Sequence, residues 1–337
     1  MIIEAIAPVR IDLAGGTLDL YPLYLFLDGA VTVNMAINLT CHVRVEPSHD
    51  NRLQITSLDS NQSVAVESRE ALPLEGPLGF ICRAVRFFHP GGGLIVTTNT
   101  SVPRGSGLGA SSALLVALGG ALCRYHNIKL SKETLVDRIA QLEAQSIGVP
   151  TGKQDYYAAL YGGVNALHFE VGGDRVEKLV EDADFLKRLE QHCILTFTGE
   201  SRQSAIANWD MMKAFVEDWG DNRAKMRGVK SIALQMREAL LQQDLHTVGQ
   251  LLAQEWACRK NLAQAVSTPH TEALIAAARQ AGAAASKICG AGGGGCMITL
   301  APPECRRQVI AALKRTGARE LPFRISRQGL RVKQVEG

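Results

Sequence analysis

Apolar and polar residues alternate along 2–7 and again along 31–46, where β-branched side chains are frequent. A period of two predicts strands at both places. "GGGLIVTTNTSVP" (91–103) predicts another strand, ended by Pro103. The pattern then changes. Residues 111–123 carry no charge on any face, so the helix predicted over 111–124 is buried all round. "SKETLVDRIAQLEAQSIG" (131–148) is an amphipathic helix with Ser131 as its N-cap. Residues 162–179 read as a hairpin turning at Gly172-Gly173. Beyond the charged stretch "EDADFLKRLEQ" (181–191) come a strand, long helices over about 203–265 and a helix opened by Pro269. A second glycine cluster, a strand, a helix and a terminal strand complete the chain. No clean βαβ rhythm runs through this order, which points to an α+β fold.

At 337 residues the chain exceeds the size at which single cores split, so two domains are expected. The charged stretch is the natural boundary and separates 1–185 from 186–337. A net charge of +3 is too mild for a nucleic-acid partner. The eight cysteines form no CxxC pair and read as reduced core thiols, and the eight isolated histidines form no metal motif. The opening "MIIEAIAPVRIDLAGG" has no signal-peptide core, and no apolar run is long enough to span a bilayer. The expectation is a soluble, cytoplasmic protein without a membrane partner.

Candidate chemistry starts at "PRGSGLGASSALLVALGGAL" (103–122), where Gly105, Gly107 and Gly109 precede the uncharged helix. Glycine costs roughly 0.5–1 kcal/mol each against alanine in regular structure, so three together need a reason. Close helix packing is one. A dinucleotide turn is a second, but "CRYHNIKLSKE" lacks the following strand and its terminal acid. A Walker A loop is excluded because no Gly-Lys-Ser/Thr follows. The third reading is a cradle of backbone N–H groups for phosphate, with the Ser111 and Ser112 hydroxyls at the helix mouth. Glu143 lies on the same helical face as Val136, Ile139 and Ala140. A carboxylate on an apolar stripe either sits at a wet rim or pairs with a cation such as a metal ion. "GVPTGKQDYYAALYGG" (148–163) offers Lys153 and Asp155, and "KICGAGGGGCMITL" (287–300) packs five glycines into 290–295. So dense a run favours close backbone approach to a substrate over a simple turn.

Together these segments resemble the GHMP kinase superfamily, whose three motifs match "APVRIDLAGGTLDLY" (7–21), "PRGSGLGASSA" (103–113) and "KICGAGGGGCMITL" in order. Within it the chain looks most like the bacterial D-glycero-D-manno-heptose 7-phosphate kinases, on "LAGGTLDL", "GKQDYYAALYGGVN", "FTGESRQSA", "EWACRKNL" and "PFRISRQGLRV". Galactokinases carry a Glu-His pair where this chain has Gly15-Gly16. The resemblance implies a ribosomal-protein-S5-domain-2-like N-terminal half that binds ATP and a ferredoxin-like C-terminal half that completes the substrate site. It also implies roles. Pro103, Gly105, Ser106, Gly107, Leu108, Gly109, Ala110, Ser111 and Ser112 would surround the ATP phosphates. Ser111 and Glu143 would hold Mg²⁺. Asp155 would be the catalytic acid-base group, with Arg10 beside it.

Asp19, Gly15, Gly16, Lys153, Arg202, Gly292, Gly293 and Gly294 would form the sugar side. Arg202, Arg259 and Lys260 are candidates for a second phosphate. The nine Lys/Arg of 306–333 read as a solvated face, with "PFRIS" an exposed strand. The expected reaction is ATP- and Mg²⁺-dependent phosphorylation of the C1 hydroxyl of heptose 7-phosphate, by a monomer or homodimer. A 1-kinase of free mannose, fucose or galactose, an NAD-dependent oxidoreductase and a nucleotide sensor are the alternatives.

Overall fold

The computed structural model describes residues 1–200 and 204–336. In chain order the elements are β1 (Ile2–Ala14), β2 (Ala30–Pro47), β3 (Leu53–Ser57), β4 (Gln62–Val66), α1 (Gly79–Phe88), β5 (Leu94–Thr100), α2 (Ala110–Tyr125), α3 (Lys132–Ile147) and α4 (Gln154–Tyr161). They continue with β6 (Val164–Glu170), β7 (Gly173–Lys178), α5 (Ala183–His192), β8 (Cys193–Phe197), α6 (Ser204–Val216), α7 (Asn222–Leu241) and α8 (Leu245–Arg259). The last are α9 (Pro269–Gln280), β9 (Ala285–Ile288), β10 (Cys296–Leu300), α10 (Arg306–Arg315), β11 (Arg319–Glu320) and β12 (Arg331–Val335). The fold is α+β.

The larger sheet has the order β12-β1-β2-β5-β3-β4, and β2 also pairs with β6, which pairs with β7. The smaller sheet is β11-β8-β10-β9, antiparallel throughout. β1 alternates at its start but is buried on both faces from Ala7 to Ala14. The cause is cover on both sides: α2 and α4 pack on β1, and so do α7 and α8. A strand covered twice reads as an apolar run, not an alternation. Two charges interrupt that run, Arg10 and Asp12, and both are buried. α2 carries no charge before Arg124 in its last turn because it lies between β1 and β2 on one side and α1, α3 and α4 on the other. Its residues 112–122 are all buried. α3 starts where expected, with the Ser131 hydroxyl accepting from the Thr134 N–H at 3.1 Å.

Several expectations need correction. The charged stretch 181–191 is largely α5, capped by Asp182 and burying Phe185, Leu186 and Leu189; its charges face water. The 186–337 half does not close on itself, because β12 pairs antiparallel with β1 in the larger sheet. "PFRIS" is not a strand. It meets β2 through an Ile37–Ile325 bridge, the backbone bonds flanking it and an Arg324 N–H that donates to Asn38 Oδ1. The hairpin β6–β7 turns through Val171-Gly172, one residue earlier than expected. All eight cysteines are free thiols. Among the described residues, no helix is long and apolar enough to cross a membrane.

Candidate active site

A cavity of about 790 Å³ opens between the 103–112 loop, the start of α4 and the turn after β1. Arg10 reaches it from β1. Its Nη2 lies 2.7 Å from Asp155 Oδ1, and its Nη1 donates to the Gly107 carbonyl at 2.6 Å. Asp155 stands in the first turn of α4. Burial pushes its carboxyl pKa up, against the opposing pull of Arg10.

The loop takes its shape from backbone that side chains would obstruct. Gly107 and Gly109 have φ of +70° and +72°. A Cβ at Gly109 would stand 2.7 Å from the Asp155 carboxyl carbon, and one at Gly107 would stand 2.7 Å from the Cys289 carbonyl oxygen. The glycines therefore bring bare backbone against the catalytic candidate on one side and the second glycine cluster on the other. Gly109 is also the N-cap of α2, so the free N–H groups of that helix open toward the cavity. Of the loop residues expected around phosphate, all line the cavity except Leu108. Leu108 is fully buried, and its carbonyl accepts from the Arg10 backbone N–H at 3.0 Å.

Glu143 comes from α3 and lines the cavity at the mouth of α2. Ser112 Oγ donates to its Oε2 at 2.8 Å, and the Ser111 and Tyr156 hydroxyls donate to the same carboxylate. Burial raises its pKa while the three hydroxyls oppose the rise. A buried carboxylate at a helix mouth, with hydroxyl donors and, among the described residues, no paired cation, fits a divalent ion. Among the described residues no group of three or more His, Cys, Asp or Glu is arranged for a metal. Glu143 and Ser111 could therefore supply only part of such an ion's shell, the remainder coming from phosphate and water oxygens.

In the same cavity Asp19 Oδ2 accepts from the Gln154 N–H at 2.9 Å, while Oδ1 is buried with no partner among the described residues. Burial pushes Asp19 up to about 6, and the nearby Asp155 charge adds to the effect. Thr17 and Asn208 line the cavity beside it, joined by a 3.1 Å hydrogen bond from the threonine hydroxyl.

Other expected sugar-side residues lie elsewhere. Lys153 Nζ is held by Asp137 at 2.8 Å and Asp174 at 2.9 Å and is not part of the wall. Arg259 is wholly buried behind the wall, and Lys260 pairs with Glu272. Arg202 lies outside the described residues. Gly15 and Gly16 form the turn behind Thr17 rather than the wall itself. Gly292 and Gly294 back onto Val266 and Glu200, and Gly293 donates to the Val266 carbonyl; only Gly290 and Ala291 of that cluster reach the cavity. The close approach expected of these glycines is real, but their neighbour is the protein's own backbone.

Sequence reading missed Tyr156, Thr17, Asn208 and a buried group of four charges, Asp12, Glu255, Arg259 and Lys287. The signal for that group was present. Asp12 interrupts an apolar strand, and Glu255 and Arg259 are spaced four apart on one helix.

Models of the GHMP kinases match the chain twice, the N-terminal domain at 79–163 and the C-terminal domain at 236–319. A D-glycero-alpha-D-manno-heptose 7-phosphate kinase of Campylobacter jejuni is 28% identical over 332 residues, 96% of each chain. A mevalonate kinase of Methanothermobacter thermautotrophicus is 30% identical over 272 residues, covering 79% of this chain and 85% of its own. A crystal structure of a D-glycero-D-manno-heptose 1-phosphate kinase from Bacteroides thetaiotaomicron superposes with a TM-score of 0.81 at 24% identity. That superposition covers 99% of this chain and 100% of the other, and it shows a shared fold.

Proposed function

The chain belongs to the GHMP kinases, ATP-dependent phosphotransferases, and from that premise we propose that it phosphorylates the C1 hydroxyl of D-glycero-D-manno-heptose 7-phosphate to the 1,7-bisphosphate. The observation that carries the chemistry is the Arg10–Asp155 pair, set 2.7 Å apart beside the 103–112 loop. The choice of sugar rests on the Campylobacter relative, which matches along nearly the whole chain.

Phosphoryl transfer has a loose, highly charged transition state, so the protein's task is positioning and charge neutralisation. Asp155 accepts the proton of the attacking hydroxyl as its oxygen bonds to the γ-phosphorus and the bond to ADP breaks. A carboxyl raised by burial is a stronger base than a solvated one, and an anomeric hydroxyl is more acidic than an ordinary alcohol. Arg10 fixes Asp155 and, through Gly107, ties it to the loop whose N–H groups face the phosphates. Glu143 and Ser111 would hold Mg²⁺, which when bound neutralises phosphate charge and helps orient the transferred group. Asp19 offers its unpartnered oxygen to a sugar hydroxyl.

One observation favours a second reading, a 1-kinase of a free sugar such as mannose, fucose or galactose. Among the described residues, the cations lining the cavity are Arg10 and Arg104, while Lys153, Arg259 and Lys260 are engaged elsewhere. ADP release with Mg²⁺-ATP across heptose 7-phosphate, hexose 6-phosphates and free hexoses separates the two. Turnover confined to heptose 7-phosphate, lowered about 10²–10⁴-fold in Asp155→Asn, is the expected result. Turnover on a free hexose alone discards the sugar phosphate, and undiminished turnover in the variant discards Asp155 as the base.

A further inference from the structure

The turn after β1 has a shape that its sequence resists. Thr17 has φ +77°, a left-handed conformation that is strained for a β-branched residue. Such strain persists only where the surroundings over-determine it. Here they do. Arg259 Nη2 donates to the Gly16 carbonyl at 2.7 Å, and Nη1 reaches Thr17 Oγ1 at 3.3 Å. The same guanidinium is gripped by Glu255 at 2.6 Å. Glu255 also pairs with Lys287 at 3.0 Å, and Lys287 pairs with Asp12 at 3.0 Å.

All four side chains are fully buried, so the balanced set of two acids and two cations is a rigid mount. None of the four lines the cavity, whereas Thr17 and Asp19 of the mounted turn both do. Thr17 passes the constraint on by donating to Asn208 Oδ1, also in the wall.

We propose that Arg259 is a positioning residue for the acceptor: it imposes the strained turn that presents Thr17, Asn208 and Asp19, and so sets acceptor affinity without acting on the nucleotide. The proposal rests on the reading that the Asp19 side of the cavity receives the phosphoryl acceptor. A cation confined to folding would loosen the whole molecule; this one acts on one wall.

Two variants test it. Arg259→Lys keeps the charge beside Glu255 but cannot hold Gly16 and Thr17 together. Thr17→Gly relieves the strain and deletes the hydroxyl. In each, the KM for heptose 7-phosphate, or for whichever free hexose the wild type phosphorylates, should rise by about tenfold or more, with the ATP KM and kcat within about threefold. Thr17→Gly should do so with an unchanged or higher melting temperature. The double variant should be no worse than either single one, because both break one link.

Hydrogen exchange supplies a readout independent of the acceptor. The Leu18 and Leu20 amides, which close the turn onto Gly15 and Thr17, should exchange faster in Arg259→Lys while the Ala113 amide of α2 does not. Equal rises in both KM values, a fall in kcat alone, or unchanged exchange at Leu18 and Leu20 overturns the proposal. Failure of the wild type on every sugar overturns the substrate reading, and the exchange result still decides whether Arg259 positions the turn.

Discussion

Asp19 is where stability and binding oppose each other, and Asp19→Asn measures by how much. The carboxyl is 2% exposed, and its pKa rises from the ordinary 3.8 to about 6. At about 1.36 kcal/mol per pH unit, keeping it ionised in the folded protein costs about 3 kcal/mol. The sign follows from proton binding. Between pH 3.8 and about 6 the folded state retains a proton that the unfolded state has lost, so stability falls as pH rises through that window. Above about 6 the full cost is present, and below 3.8 it is absent. An asparagine keeps the oxygen that accepts from Gln154 N–H and carries no charge to desolvate. Urea unfolding of the ligand-free protein is the assay, run on both forms at pH 4 and pH 8. Relative to wild type, the variant should gain about 2 kcal/mol on going from pH 4 to pH 8, since a little of the cost is already present at pH 4. Its kcat/KM for the sugar should fall about 100-fold, since an amide replaces the charged acceptor offered to a hydroxyl. A stability gap that is the same at both pH values would refute the reasoning.

Two further outcomes are expected. Gly109→Ala puts a methyl into a left-handed position 2.7 Å from the Asp155 carboxyl carbon, so kcat should drop about 100-fold in steady-state assays; a wild-type kcat would show that Asp155 need not keep its place. Lys153→Met should leave kcat/KM within about threefold while denaturant unfolding shows a loss of about 2 kcal/mol, because Asp174, only 7% exposed, loses its cation and keeps the Tyr157 hydroxyl. A tenfold rise in sugar KM in that variant would instead bring Lys153 to the substrate.

Local pattern made the architecture legible where one period dominated. The alternation at 31–46, the uncharged run after Gly109 and the Ser131 cap each correspond to an element in place. Site residues carried by motifs were legible for a related reason: a glycine kept at Gly107 or Gly109 has a cause that is visible before the contact is known. The sugar side was less so. Lys153 stands next to Gln154, whose amide holds Asp19, yet its own side chain runs to Asp137 and Asp174 on the other side of the chain. Sequence spacing does not report which way a long side chain turns. Arg259 is among the candidates for a second phosphate because an arginine beside Lys260, read without its partners, looks solvated or functional. Its partners Gly16 and Thr17 are more than 240 positions away and converge only in the fold. The terminal strand is legible as a strand, but its partner is not, for the same reason. β12 belongs to the larger sheet because β1 has a free edge there, and no local signal records that vacancy.

The contact between the two glycine segments bears on how such a protein can change over time. Cys296 N–H donates to the Ser106 carbonyl at 2.7 Å, and a Cβ at Gly290 or Gly295 would fall within 3 Å of the Gly107 or Ser106 carbonyl oxygen. Where these two glycine segments touch, the contact is therefore main chain against main chain, with no room for a Cβ to absorb a mismatch. Recombination between related kinases that joined one parent's first half to another's second would succeed only where both had kept bare backbone at this seam. The cavity residues around Asp19 can change one at a time, while the two glycine segments must be inherited as a pair.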